Sequence, residues 1–271
     1  MVGRLVIHEA TKISEFVKTR KHVPSATIFL DRPDRRNALS PQIIRGLHQA
    51  LEDILQERTV RAVILIGAGD VFSSGSDLHE IHNSLSDADA LEKWHNDARA
   101  FQELIELMLR FPKPIVAAIN GQVIGSAAAL MLAADIVVAG ENATVFMPES
   151  KRGLVSGIAA PLLAFRIGAG PTTRMLLSGF KMDSAAAIQA GLFHEVVADD
   201  LVWARSQALC EELAKGAQQS HQMTKRMINE TIGEELFTQL SIGAANTATA
   251  RTTEAAKEGV TAFVEKREPE W

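Results

Sequence analysis

Pro114-Ile115-Val116-Ala117-Ala118-Ile119-Asn120-Gly121-Gln122-Val123-Ile124-Gly125-Ser126-Ala127-Ala128-Ala129 is the stretch on which the fold turns. Ile115–Ile119 is a short, wholly apolar run, the pattern of a strand buried on both faces. Asn120-Gly121 turns the chain. From Gly125 a helix of small residues is predicted to run to Ala134. Its first N–H groups lack intrahelical acceptors and carry positive partial charge. Two main-chain N–H groups aimed at one point can hold a developing oxyanion.

Upstream, Phe111-Pro112-Lys113 ends an amphipathic helix marked by Leu91, Trp94, Ala98, Phe101, Leu104, Ile105 and Met108. Two further strand–turn–helix signals precede it. Ala26–Leu30 is a buried-strand run closed by the polar loop Asp31–Asn37. Ser40-Pro41 then starts a helix as N-cap and first-position proline. Ile43, Ile44, Leu47, Leu51, Ile54 and Leu55 form its apolar face. Val60–Ile66 is the next strand, broken by Gly67-Ala68-Gly69-Asp70. Downstream, Asp135–Ala139 and Ala143–Phe146 read as strands. Helical signals then dominate over Ser184–Ala190, Leu201–Lys215, Gln219–Thr231, Phe237–Ala250 and Glu254–Val264. This order predicts an α/β core over residues 1–200 and a helical region over 201–271.

The chain has 271 residues, 46% hydrophobic and 23% charged, as in ordinary globular domains. A net charge of −5 argues against nucleic acid and anionic membrane as partners. The single cysteine, Cys210, forbids an intrachain disulfide and suits a reducing compartment. No apolar run reaches membrane-spanning length. Glu9 and Glu15, with no apolar core before a small-residue cleavage site, argue against a secretory leader. A cytoplasmic location is expected.

Several patterns are set aside. His79 and His82 flank Glu80, but His-Glu-x-x-His is absent and no metal site is expected. Gly153-Leu154-Val155-Ser156-Gly157 is not a Gly-x-Ser-x-Gly nucleophile elbow. Gly168-Ala169-Gly170-Pro171 reads as a turn between helices.

Five segments together resemble the enoyl-CoA hydratase/isomerase (crotonase) superfamily over about residues 25–268. They are Arg32-Pro33 through Asn37-Ala38-Leu39-Ser40, Phe72-Ser73-Ser74-Gly75-Ser76-Asp77-Leu78, Pro114–Ala129, Pro148-Glu149, and Ala262-Phe263-Val264-Glu265-Lys266-Arg267. The resemblance implies a spiral of ββα units with a C-terminal helical region that forms trimers, often hexamers. It implies an acyl-CoA thioester as substrate, with coenzyme A part of that substrate and no separate cofactor. The oxyanion donors would be the N–H groups of Ser76 and Ser126, and Glu149 the acid–base group. Ala38, Leu39, Ser74, Asp77 and Leu78 fall in the CoA-binding segments. Arg35 and Arg36 are candidates for the CoA phosphates, because guanidinium groups bind phosphate at two points. Phe263 and Lys266 would reach the CoA of a neighbouring subunit.

Two positions depart from the family pattern. Ser126 stands where glycine is usual, and the N–H survives that change. Ala129 stands where hydratases carry a second glutamate, and alanine moves no proton. The resemblance with this departure implies a Δ3-Δ2 enoyl-CoA isomerase working with Glu149 alone. Hydratase, thioester hydrolase, dehalogenase and C–C lyase activity are alternatives. A protein that binds acyl-CoA with little catalysis is the alternative of another class.

Overall fold

The computed structural model describes residues 10–271, so residues 1–9, part of the stretch read for a leader, lie outside the described residues. The chain opens with strands β1 (Thr11–Lys12), β2 (Val17–His22) and β3 (Ser25–Leu30), then helix α1 (Pro41–Gln56). Strands β4 (Ala62–Gly67) and β5 (Val71–Ser73) lead to α2 (Leu78–Ser84) and α3 (Ala90–Arg110). Strands β6 (Ile115–Ile119) and β7 (Gln122–Ile124) lead to α4 (Ala127–Ala133), and β8 (Ile136–Gly140) is followed by β9 (Thr144–Phe146). Helices α5 (Ala159–Ile167) and α6 (Ala169–Ser178) precede β10 (Met182–Asp183), α7 (Ser184–Gln189) and β11 (Glu195–Val197). The chain ends with α8 (Val202–Ala214), α9 (Gln218–Arg226), a π-helical turn (Met227–Ile232), α10 (Glu234–Ala250) and α11 (Glu254–Glu265).

Two sheets result. The larger has the order β1-β2-β3-β4-β6-β8-β11, parallel from β3 onward. The smaller has the order β10-β9-β7-β5, with β5, β7 and β9 parallel. Side chains alternate across a strand. Val63 and Leu65 of β4 therefore enter the main core with α1, α3 and α4, whereas Ala62, Ile64 and Ile66 face Val202, Leu209 and Cys210 of α8. Covering both faces explains the unbroken apolar runs of β4 and β6. α8 thus layers directly onto the sheet, although it lies beyond the division expected at residue 200. The expected α/β class and helical C-terminal region are both present.

The sequence reading differs from the structure in the short strands. Gln122–Ile124 was expected as turn and helix entry but forms β7, paired to β5 on one side and β9 on the other. Its partners are far away in sequence, so local periodicity does not show it. Strand β2 is also unexpected. Its run VKTRKH is highly charged, and it pairs antiparallel with β3. By contrast α1 begins as expected, with the Ser40 hydroxyl accepting from the Ile43 N–H at 3.3 Å.

One buried side chain organises the loop between β3 and α1. Asn37 is fully buried with φ +55°. Its Nδ2 donates to the carbonyls of Ala68, Val71 and Phe72 at 2.9–3.2 Å, and its Oδ1 accepts from the Arg32 N–H at 3.0 Å. The Ser73 hydroxyl donates to the Asn37 carbonyl at 2.7 Å. Truncating Asn37 leaves buried carbonyls without donors, each costing about 1–3 kcal/mol. Asn37→Ala is expected to destabilise the fold by at least about 2 kcal/mol in urea melts. An unchanged midpoint would contradict the role given to this side chain.

Candidate active site

The three parallel strands of the small sheet run side by side, and each delivers a residue of interest just past its C-terminal end. β5 leads to Gly75-Ser76, β7 to Gly125-Ser126, and β9 to Pro148-Glu149. Ligand sites in parallel sheets favour this end of the strands.

Gly75 has φ +79°, a left-handed conformation costly for residues with Cβ. A Cβ there would lie 2.4 Å from the Ile124 carbonyl oxygen and 3.2 Å from the Ser126 nitrogen. Glycine therefore allows the first segment to press against the second. The Leu39 N–H donates to the Gly75 carbonyl at 2.7 Å, and the Asp77 N–H donates to the Leu39 carbonyl at 3.2 Å. Ser76 between them is held as one residue of a parallel bridge to Leu39. Among the described residues, neither the Ser76 N–H nor the Ser126 N–H donates to another backbone group. The two side chains meet, with Oγ to Oγ at 2.9 Å.

Gly125, at φ +56°, is tied to the third segment by its N–H donating to the Phe146 carbonyl at 2.9 Å. A Cβ on Gly125 would lie 2.7 Å from Oε1 of Glu149. The carboxylate thus sits directly against the residue before Ser126. Its Oε2 is buried with no hydrogen-bond partner. Burial pushes the Glu149 pKa up to about 7, opposed by its own N–H and by the Ser156 hydroxyl, which favour the anion. Glu149 also borders a cavity of about 620 Å³ with Leu154, Val155, Ser156, Leu176 and Ile242. Ser76 and Ser126 are not in that lining. The carboxylate therefore touches the residue before Ser126 and also borders a mainly apolar, solvent-open groove. Ala129 lies on α4, every residue of which is buried, and presents only a methyl group.

The remaining expected residues divide. Ala38 and Leu39 are buried beside the Ser76 segment. The Ser74 N–H donates to the Arg36 carbonyl at 2.9 Å, and Leu78 opens α2, half-buried. Arg35 and Arg36 are exposed, and Arg36 Nη2 donates to Gln122 Oε1 at 2.5 Å. Asp77 is engaged within the protein through its side chain. Its buried carboxylate accepts from Arg32 Nη1 at 2.6 Å and caps α2 through the N–H groups of His79 and Glu80. Both oxygens are committed to the protein itself. Phe263 lies against its own chain's His79, ring centroids 6.2 Å apart, with the Arg152 guanidinium 5.0 Å from its ring. Lys266 is the exposed, left-handed C-cap of α11. Sequence reasoning missed the bracing roles of Asn37 and Arg32. The one available signal is asparagine's tolerance of left-handed backbone.

Among the described residues, no three His, Cys, Asp or Glu side chains group closely enough to hold a metal ion. Nor is any helix there long and apolar enough to cross a membrane.

With this geometry in place, comparison with known proteins is direct. A profile of the enoyl-CoA hydratase/isomerase family matches residues 23–271. The 2,3-dehydroadipyl-CoA hydratase of Escherichia coli is 30% identical over 245 residues, covering 90% of this chain and 93% of that protein. The 1,2-epoxyphenylacetyl-CoA isomerase of the same organism is 29% identical over 258 residues, covering 95% and 98%. A crystal structure of an enoyl-CoA hydratase/isomerase from Mycobacterium paratuberculosis superposes with TM-score 0.84 at 26% identity, covering 93% of this chain and 99% of that one. The chain belongs to the enoyl-CoA hydratase/isomerase (crotonase) superfamily and is an enzyme of that family.

The buried carboxylate has a measurable cost. Below the ordinary carboxyl pKa of 4.5, Glu149 is protonated in both folded and unfolded chains. As pH rises towards 7 the unfolded chain ionises first, so the folded state loses relative stability, by about 3 kcal/mol once both are ionised. Glu149→Gln is expected to melt at a higher temperature than wild type at pH 8, with the gap closing towards pH 4.5. A variant less stable than wild type at pH 8 would contradict this burial.

Proposed function

We propose that this enzyme moves a double bond in an acyl-CoA thioester, converting 3-enoyl-CoA to 2-enoyl-CoA, with Glu149 as its single acid–base group. The observation that carries this reading is the buried Glu149 carboxylate, its Oε2 without a hydrogen-bond partner and its Oε1 against Gly125 next to Ser126, together with the methyl group of Ala129. The thioester oxygen accepts from the N–H groups of Ser76 and Ser126. Glu149 removes a proton from C2. The electron pair of that C–H bond delocalises over a dienolate whose negative charge rests largely on the oxygen. Glu149, now neutral, returns the proton at C4, and the double bond settles between C2 and C3. Atoms balance with one carboxyl group and no water. Losing one oxyanion donor of this kind typically costs about 2.7–4 kcal/mol.

Hydration asks for more. A proton must leave water and another must reach the α-carbon, and Ala129 supplies no second carboxyl. Removing one acid–base group typically slows a reaction about 10²–10⁴-fold. The similarity to a hydratase favours hydration as the second reading, and the same site geometry would bind its substrate. For the CoA moiety, Arg35 and Arg36 would meet phosphate while Ala38, Leu39, Ser74 and Leu78 shape the channel. The further reading places the chain in the cytoplasm as a trimer or hexamer, with Phe263 and Lys266 serving a neighbour's CoA. Exposed Leu177, Ile242 and Val155 support a subunit contact.

Turnover of 3-enoyl-CoA and 2-enoyl-CoA, with products identified, tests the proposal. Isomerisation is expected to dominate, and Glu149→Gln to lower it at least about 10²-fold. Strong hydration without isomerisation would overturn the preference. A trace rate equal in wild type and Glu149→Gln would mean a binding protein instead.

The pH profile follows from the same carboxylate. Glu149 must be ionised to take the first proton, and burial raises its pKa to about 7. kcat/KM is expected to fall about tenfold per pH unit below 7 and to level off above it. A profile flat down to pH 5 would remove Glu149 as the base.

A further inference from the structure

The Ser76 and Ser126 hydroxyls, 2.9 Å apart, have no other side-chain or backbone partner among the described residues. A hydroxyl has one proton to give and two lone pairs to accept with. In such a pair one O–H is spent on the other oxygen, and the accepting residue keeps its own O–H free. Both residues are half-buried, and among the described residues neither main-chain N–H donates to another backbone group. The residue that keeps its O–H free also keeps its own main-chain N–H free. Glycine or alanine at position 126 would keep the N–H and lose this donor. Its value rises in a site with one carboxyl, where a better-held enolate is easier for a lone base to form.

We propose that Ser126 donates a third hydrogen bond, from its hydroxyl, to the carbonyl oxygen of a bound acyl-CoA, and that Ser76 is the positioning residue that donates to Ser126 and so turns that proton outward. The inference rests on the acyl-CoA reading above and adds to it a contact made by side chains. A hydrogen bond to an oxygen gaining negative charge is stronger than one to a neutral carbonyl. The effect should therefore appear in kcat more than in KM.

The test uses acetoacetyl-CoA, a 3-oxoacyl ester whose enolate absorbs in the near ultraviolet, titrated with pH on wild type, Ser126→Ala, Ser126→Gly and Ser76→Ala. A thioether analogue lacking the carbonyl is measured alongside. Wild type is expected to stabilise the enolate about ten- to a hundredfold more than either Ser126 variant. Ser76→Ala should fall between them, and thioether affinity should be equal throughout. Enolate formation on Ser126→Ala equal to or stronger than on wild type would overturn this inference alone. Equal losses for ester and thioether would assign Ser126 to shape and overturn it too. A wild type that binds no acetoacetyl-CoA would overturn the acyl-CoA reading and this inference together.

Discussion

The parallel pairing of β7 between β5 and β9 is the constraint on which the site depends. Each of these strands has only three residues. Their register, with Gln122 opposite both Val71 and Thr144 and Ile124 opposite Phe146, sets where the chain leaves the sheet. Within three residues of the strand ends lie Gly75-Ser76, Gly125-Ser126 and Glu149. A slip of one residue would reverse every side chain on the slipped strand. It would also break the Gly125–Phe146 hydrogen bond that ties the carboxylate's segment to the serine's. The larger sheet serves as the platform. Its apolar strands are covered by α1, α3 and α4 on one face and α8 on the other.

On that frame the site combines two opposed electrostatic conditions. Main-chain N–H groups left without acceptors favour negative charge on whatever oxygen reaches them. Against Gly125, the residue before Ser126, burial makes negative charge on Glu149 unfavourable and raises its proton affinity. In the proposed reaction such a pairing favours moving a proton from carbon to carboxylate while charge gathers on oxygen. Burial of this carboxylate is expected to cost the fold stability at neutral pH.

The parts legible in the sequence were those with strong local signals. The apolar runs of β3, β4 and β6, the Ser40-Pro41 cap and the α3 face all express local periodicity, while Ser76, Ser126 and Glu149 entered as candidates through the family resemblance. The parts that were not legible are long-range. β5 and β7 are too short to show a period, and β7 exists because of partners about 50 and 20 residues away. The Asp77 carboxylate pairs with Arg32, a partner 45 positions distant that no local pattern shows. Asn37 looked like one polar residue of a loop, and only the three carbonyls converging on it show why it is buried. The 2.9 Å serine pair likewise joins residues 50 apart.

The central claim is that two separate stretches of main chain polarise one thioester carbonyl. Isotope-edited infrared spectroscopy of an acyl-CoA labelled with carbon-13 at that carbonyl reports the polarisation directly, whatever reaction follows. The account predicts that the bound C=O stretch moves to lower frequency than in water, because donors in a water-poor site pull harder on the oxygen. It also predicts that Gly75→Ala, which would force the first stretch away from the second, abolishes the shift. A bound carbonyl vibrating at its aqueous frequency in the wild-type enzyme would contradict the account.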